Sequence, residues 1–198
     1  MREPLWTDRL ILRDVTEADA PLLFDLDSDP EVMRYIGPQP PPDVASYRER
    51  TRSVYVPMQA HPWHGIRLVL DRASGAFLGW GFVRPATAFK YAREIGWTRP
   101  DEVEVGYRFR RSAWGRGLAT EAATRLVRIA LADPATTAVV ACALAGNAGS
   151  LRVLEKLGLE RVGEVLLPET TAPTVKLARV KERGHLPGDP DGTAAYCP

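Results

Sequence analysis

Polar and apolar residues alternate most cleanly from Val103 to Arg110. Val103, Val105, Tyr107 and Phe109 fall on one face and Glu104, Gly106, Arg108 and Arg110 on the other. That period of two predicts a β-strand. A helical period follows: Ala119, Ala122, Leu126 and Ile129 form an apolar stripe, with Glu121 and Arg125 spaced as an i,i+4 pair on the exposed side. Further strands are predicted at Arg9–Arg13, where Leu10 and Leu12 share a face, and at Ile66–Leu70 and Phe77–Val83. Ser74-Gly75 makes the turn between the last two. Ala138–Leu144 reads as a buried strand, and Ala148–Leu157 as a short helix stopped by Gly158. Val162–Leu167 and Pro173–Val180 can close the domain as an antiparallel pair. Nearer the N-terminus, Thr16-Glu17-Ala18-Asp19 starts a helix that runs into Leu22-Leu23-Phe24, and Ser28-Asp29-Pro30-Glu31 starts another. Pro38 and Pro40–Pro42 break the chain before a helix over Asp43–Val56, and Thr87–Pro100 shows no clear period. Strands followed by helix, strand, helix and two strands predict an α/β (α+β) domain with a mixed sheet.

Composition narrows the setting. The chain has 198 residues, 26% charged and 45% hydrophobic, enough for one domain with a substantial core. A net charge of +1 gives no global pull toward nucleic acid or an anionic membrane. Arg outnumbers Lys, and the accompanying wealth of Ala and Pro makes base composition a sufficient cause. Cys142 and Cys197 offer neither metal-ligand spacing nor a disulfide framework, which fits a reducing cytoplasm. Met1-Arg2-Glu3-Pro4 carries no apolar signal core, and no run is long enough to span a bilayer. His61, His64 and His185 form no triad or metal set and read as loop histidines. Residues 185–198 are rich in Gly, Pro and Asp and read as a loose tail.

Candidate chemistry begins at Trp114-Gly115-Arg116-Gly117-Leu118-Ala119-Thr120-Glu121-Ala122, between the clearest strand and the strongest helix. Two glycines bring bare backbone N–H groups together, and the helix start adds its own free N–H groups and positive dipole end. Phosphate suits such a site. No Gly-Lys-Ser/Thr follows, so this is no P-loop, and Thr120 occupies the third glycine position of a dinucleotide fingerprint. Arg116 is either a phosphate contact or a solvated loop residue. A nucleotide-binding regulatory domain would rest on this segment alone.

A second segment, Asn147-Ala148-Gly149-Ser150-Leu151-Arg152-Val153-Leu154-Glu155-Lys156-Leu157-Gly158-Leu159, joins it. Together with Glu104-Val105-Gly106-Tyr107 and Trp114–Ala122, it resembles the GNAT N-acetyltransferase superfamily, and within it the Rim-like branch of ribosomal-protein N-terminal acetyltransferases. Thr7-Asp8-Arg9-Leu10-Ile11-Leu12-Arg13 looks like that branch's opening strand, so the resemblance spans a single domain over residues 7–182. It implies a twisted, mixed, mostly antiparallel sheet of six or seven strands flanked by helices, with acetyl-CoA lying where two central parallel strands splay apart. Of the pyrophosphate motif Gln/Arg-x-x-Gly-x-Gly/Ala, Trp114 takes the first place, Gly117 the central glycine and Ala119 the last. Cofactor contacts are thereby implied along Trp114, Gly115, Arg116, Gly117, Leu118, Ala119 and Thr120.

The implied reaction is aminolysis of a thioester. Glu104 is the candidate base, directly or through water, although by pattern alone it is equally a strand glutamate paired with a neighbour. Glu102 competes with it, displaced to the opposite side of the pleat if the strand already starts there. Asn147 is a plausible N-cap with Ser150 at N3; the resemblance adds a pantetheine contact for Asn147 and a place near the sulfur, as candidate acid, for Ser150. Many members carry an acidic Tyr late in this helix, where this chain reads Leu154-Glu155-Lys156-Leu157-Gly158-Leu159. The oxyanion is expected at a backbone N–H near Phe109, and Tyr107 and Phe109 are expected to meet the cofactor through backbone rather than ring. Tyr35, Trp63, Trp80 and Trp97 are either core or acceptor-pocket residues. The segments Gly37–Pro42 and Thr87–Pro100 fall where the family varies for acceptor choice. The acceptor is thus an amine, either a protein N-terminus or a small molecule, with no nucleic acid or membrane partner and no metal. A non-catalytic acyl-CoA-binding module is the alternative. Homodimers are common in the family, and no segment here specifies one.

Overall fold

A capping box opens the first helical layer: the Thr16 hydroxyl and backbone N–H both donate to Asp19, at 2.9 and 2.8 Å. It leads into α1 (Ala20–Asp27), and the Asp29 carboxylate then caps α2 (Pro30–Met33). Asp43 likewise caps α3 (Val44–Arg50), which passes through a π-helical turn, Thr51–Tyr55, into α4 (Val56–Met58). The computed structural model describes residues 2–36, 42–89, 93, 95–167 and 172–181. The predicted tail, His185, Cys197 and most of the Gly37–Pro42 segment lie outside them.

The strands are β1 (Leu5–Trp6), β2 (Leu10–Asp14), β3 (Gly65–Asp71), β4 (Phe77–Pro85), β5 (Glu102–Phe109), β6 (Ala138–Leu144), β7 (Glu160–Val165) and β8 (Thr174–Val180). Helices α5 (Leu118–Ala132) and α6 (Ala148–Lys156) follow β5 and β6. They form one eight-stranded sheet ordered β1-β2-β3-β4-β5-β6-β8-β7, antiparallel throughout except between β5 and β6. The implied six or seven strands become eight because Leu5–Trp6 pairs with Ile11–Leu12, and two residues are too few to show alternation. The parallel pair is short. Glu102, Val103 and Glu104 face Ala138, Val139 and Val140, and there the pairing stops although both strands continue. The two central parallel strands therefore splay, as the resemblance implied.

Each face of the sheet carries its own core. Val105, Phe109, Leu118, Leu126, Val139 and Leu154 belong to the cluster beneath α5 and α6. Val15, Leu23, Tyr47, Ile66 and Leu68 pack under α1 and α3 on the other side. Leu118, Leu126 and Leu154 are at most 2% exposed, and burial of each stabilises by roughly 1.5–3 kcal/mol. Glu121 corrects the expected pairing with Arg125. Its carboxylate instead accepts from the Thr7 hydroxyl at 2.6 Å and from Arg9 at 2.7 Å, because the β1–β2 turn lies against the start of α5 and its donors outcompete a solvated i,i+4 neighbour. No helix among the described residues is long and apolar enough to cross a membrane.

Candidate active site

The glycine segment folds as a bare cradle. Gly115 and Gly117 have φ of +72° and +75°, left-handed values that L-residues with a Cβ adopt at a cost. Gly117 is the N-cap of α5 and supplies no side-chain cap. The first-turn N–H groups of Leu118, Ala119 and Thr120 are thus left for another acceptor. Arg116 is exposed, and its carbonyl accepts from Arg9 at 3.0 Å. Arg9 was missed in the sequence; its guanidinium stands 3.6 Å from where a Cβ on Gly117 would lie, and only the folded turn brings it there. Trp114 is half exposed and its indole N–H caps the Phe109 carbonyl at 2.8 Å, which fixes the strand-to-helix turn.

Beyond Glu104 the edge of β5 that faces β6 is unpaired. Arg110 N–H donates to Leu78 on β4 at 2.9 Å. Because antiparallel bonding alternates along a strand, the backbone of Val105, Tyr107 and Phe109 turns the other way, into the gap. Phe109's ring is buried in the core as expected. Tyr107's ring is not confined to it: the hydroxyl reaches Ser150 on α6, 3.1 Å from both its carbonyl and its Oγ. Burial pushes that phenol up to about 12, against the Ser150 hydrogen bond, so it stays protonated. Asn147 caps α6 by accepting from Ser150 N–H at 3.1 Å. Tyr107, Asn147 and Ser150 thereby meet on one side of a cleft of about 700 Å³.

Glu104 lines the same cleft. It stands directly opposite Arg84 in the β4–β5 register and accepts from its Nε at 2.6 Å. Burial pushes its carboxyl above the usual carboxylate range, and the Arg84 charge opposes that shift. Glu102 also lies in β5, but residues two apart share a face of the pleat, which corrects the expectation of opposite sides. What sets Glu102 apart is its partner: it accepts from Lys176 Nζ at 3.0 Å and from Arg99 N–H at 3.1 Å, away from the cleft lining. Cys142 lines the cleft too. Burial, with the Glu104 charge beside it, pushes its thiol up to about 12, which leaves it a poor nucleophile.

The far wall comes from the N-terminal helices and β4. Tyr35 and Trp80 line the cleft as two of the suggested aromatics, and Tyr55 and Phe82 join them. The other two lie elsewhere: Trp63 donates to Asp133 at 2.8 Å, and Trp97 covers Gly163 on β7. Gly106 lies beneath the Phe82 ring, which occupies the space where a Cβ would stand, so any side chain there would clash. Asp27, at the end of α1, bonds Arg108 at 2.5 Å and accepts from Tyr47 at 2.6 Å. Among the described residues no group of three or more His, Cys, Asp or Glu could hold a metal ion.

The sequence profile of a family described as an acetyltransferase (GNAT) domain matches residues 9–160. The chain is 30% identical over 158 residues to YkkB of Bacillus subtilis (strain 168), covering 78% of this chain and 84% of that one. In structure it is similar to a GNAT-family acetyltransferase from Bacillus anthracis, with a TM-score of 0.71 at 19% identity, over 91% of this chain and 100% of the other. It is similar also to RimL, a ribosomal L7/L12 α-N-protein acetyltransferase solved with coenzyme A, at a TM-score of 0.71 and 15% identity, over 90% and 98%.

Proposed function

This chain belongs to the GNAT acetyltransferase family, whose cosubstrate is acetyl-CoA, and we propose that residues 7–182 form one N-acetyltransferase domain that passes the acetyl group directly to an amine. One observation carries this reading. The cleft opens where β5 and β6 part, and there a buried Glu104 lies with Asn147, Ser150 and Tyr107 around a single gap. The residues fit the cosubstrate: an uncapped helix start behind two left-handed glycines suits a pyrophosphate, and an unpaired strand edge suits an extended amide-bearing arm.

In this mechanism the backbone N–H groups of Leu118, Ala119 and Thr120, with Trp114, Gly115, Arg116 and Gly117 around them, hold the phosphates. Asn147, the free backbone edge at Tyr107 and the Phe109 N–H align the pantetheine arm. Backbone N–H groups of that edge supply donors to the carbonyl oxygen as negative charge develops on it. Glu104 takes the proton of the attacking amine, directly or through water, while Arg84 keeps its carboxylate accessible at working pH. The new C–N bond forms, the C–S bond breaks, and the sulfur gains a proton from the Ser150 hydroxyl, which recovers one from solvent. With the Cys142 thiol protonated, no acyl-enzyme is invoked. The acceptor is a protein N-terminal amine, as the Rim-like resemblance favours, or a small amine.

Thermal unfolding with CoA, acetyl-CoA, ATP and NAD tests the cleft, and thiol release from acetyl-CoA in an amine screen tests turnover. CoA or acetyl-CoA at about 100 times its Kd should add nearly 3 kcal/mol, about 5–10 °C in Tm. A shift with ATP or NAD and none with CoA would overturn the reading. A CoA shift with no thiol release for any amine would favour the non-catalytic module.

A further inference from the structure

Among the described residues, the charged groups that line the cleft are Asp27, Glu104, Arg50, Arg84 and Arg108. Both acids are taken: Glu104 by Arg84 at 2.6 Å and Asp27 by Arg108 at 2.5 Å. Their side chains are only 9% and 10% exposed, and the second Asp27 oxygen is buried beyond solvent contact. Among the described residues a polycationic acceptor would therefore find no accessible carboxylate. Arg50 differs from the other cations. It is exposed at the cleft wall and has no acidic partner among the described residues, resting instead over the Tyr55 ring with its guanidinium 5.6 Å from the centroid.

The local winding explains its placement. Arg50 is the last residue of α3, and the π-helical turn Thr51–Tyr55 follows directly. Hydrogen bonds in such a turn span five residues, so Arg50 and Tyr55 come onto one face, where regular α-helical winding would separate them. Tyr55 feels the charges of Arg50, Asp27 and Arg108 together, and its hydroxyl accepts from the Arg50 guanidinium, which has no carboxylate partner among the described residues. Resting on the N-acetyltransferase reading, we propose that the acceptor is an amine that also bears a carboxylate, and that Arg50 binds this carboxylate.

The carboxylate has two sources, the α-carboxylate of a free amino acid or an acidic side chain near a peptide N-terminus. The test measures kcat/KM for matched acceptors with wild type and Arg50→Gln. The set contains amino acids and their amides, short peptides with Glu or Gln at the second position, and spermidine. A charge-assisted pair predicts a preference of about 10- to 100-fold for the carboxylate-bearing member. Arg50→Gln should erase that preference through KM, leaving kcat and the neutral acceptors unchanged. Preference within the amino-acid pairs identifies the first source, and within the peptide pairs the second. Equal rates across the pairs, or preference for spermidine, would overturn the proposal while leaving N-acetyl transfer intact. An equal loss on every acceptor in Arg50→Gln would also overturn it, since a structural role alone produces that. Absence of acetyl-CoA binding would instead remove the underlying reading and this proposal with it.

Discussion

Glu102 and Glu104 lie on the same face of β5, one pleat repeat apart. Both are buried, and each has a cation close by, Lys176 at 3.0 Å and Arg84 at 2.6 Å. They differ in what lies beyond the pair. Below, β5 and β6 are still hydrogen-bonded, and Lys176 arrives from β8 to close the space, with the Trp97 carbonyl as a further acceptor at 2.6 Å. Above, the pairing has ended, and the Glu104 carboxylate borders a cleft that also contains Ser150 and Cys142. The two cations differ likewise: Lys176 is 9% exposed and Arg84 30%. Position relative to the splay, rather than residue type or burial, distinguishes an ion pair enclosed within the sheet from one that borders the cleft.

Two substitutions sharpen that contrast. Glu102→Gln leaves the Lys176 ammonium buried without a counter-charge, so stability should fall by about 3 kcal/mol, roughly 6–12 °C in Tm. Turnover per folded molecule should stay within a few-fold of wild type. A stable Glu102→Gln protein with lost turnover would reverse the assignment of the two glutamates. The smaller effect is on pH dependence. The proposed role of Glu104 as base predicts that activity falls as pH drops through the pKa that burial has raised, above the usual carboxylate range. Arg84 opposes that rise, so Arg84→Gln should move the acidic limb of kcat/KM to higher pH. A limb that stays in place, or moves to lower pH, would remove Arg84 from this role.

The elements with strong local signals were legible from the chain alone. Alternation marked Val103–Phe109 as a strand, the paired glycines marked the turn before α5, and Asn147 with Ser150 marked the start of α6. Partners fixed by register were not legible. Arg84 meets Glu104 only because β4 and β5 pair as they do, Lys176 meets Glu102 only because β8 inserts beside β6, and Glu121 meets Arg9 across more than a hundred residues. Spacing suggested Arg125 for Glu121, since i,i+4 geometry is all that a single helix shows. Tyr107 was assigned to the cofactor through its backbone. Alternation shows which face a ring occupies, but not that the splay lets its hydroxyl reach Ser150. The two-residue β1 and the π-helical turn beside Arg50 lie below the length at which periodicity has meaning.

The most direct measurement is on Glu104→Gln, with turnover and the acetyl-CoA-induced Tm shift taken on the same preparation. A base at the splay predicts that kcat falls by about 10²- to 10⁴-fold while the Tm shift matches wild type. Turnover within a few-fold of wild type, with the shift preserved, would contradict the account, because the cleft would then work without the carboxylate placed at its opening.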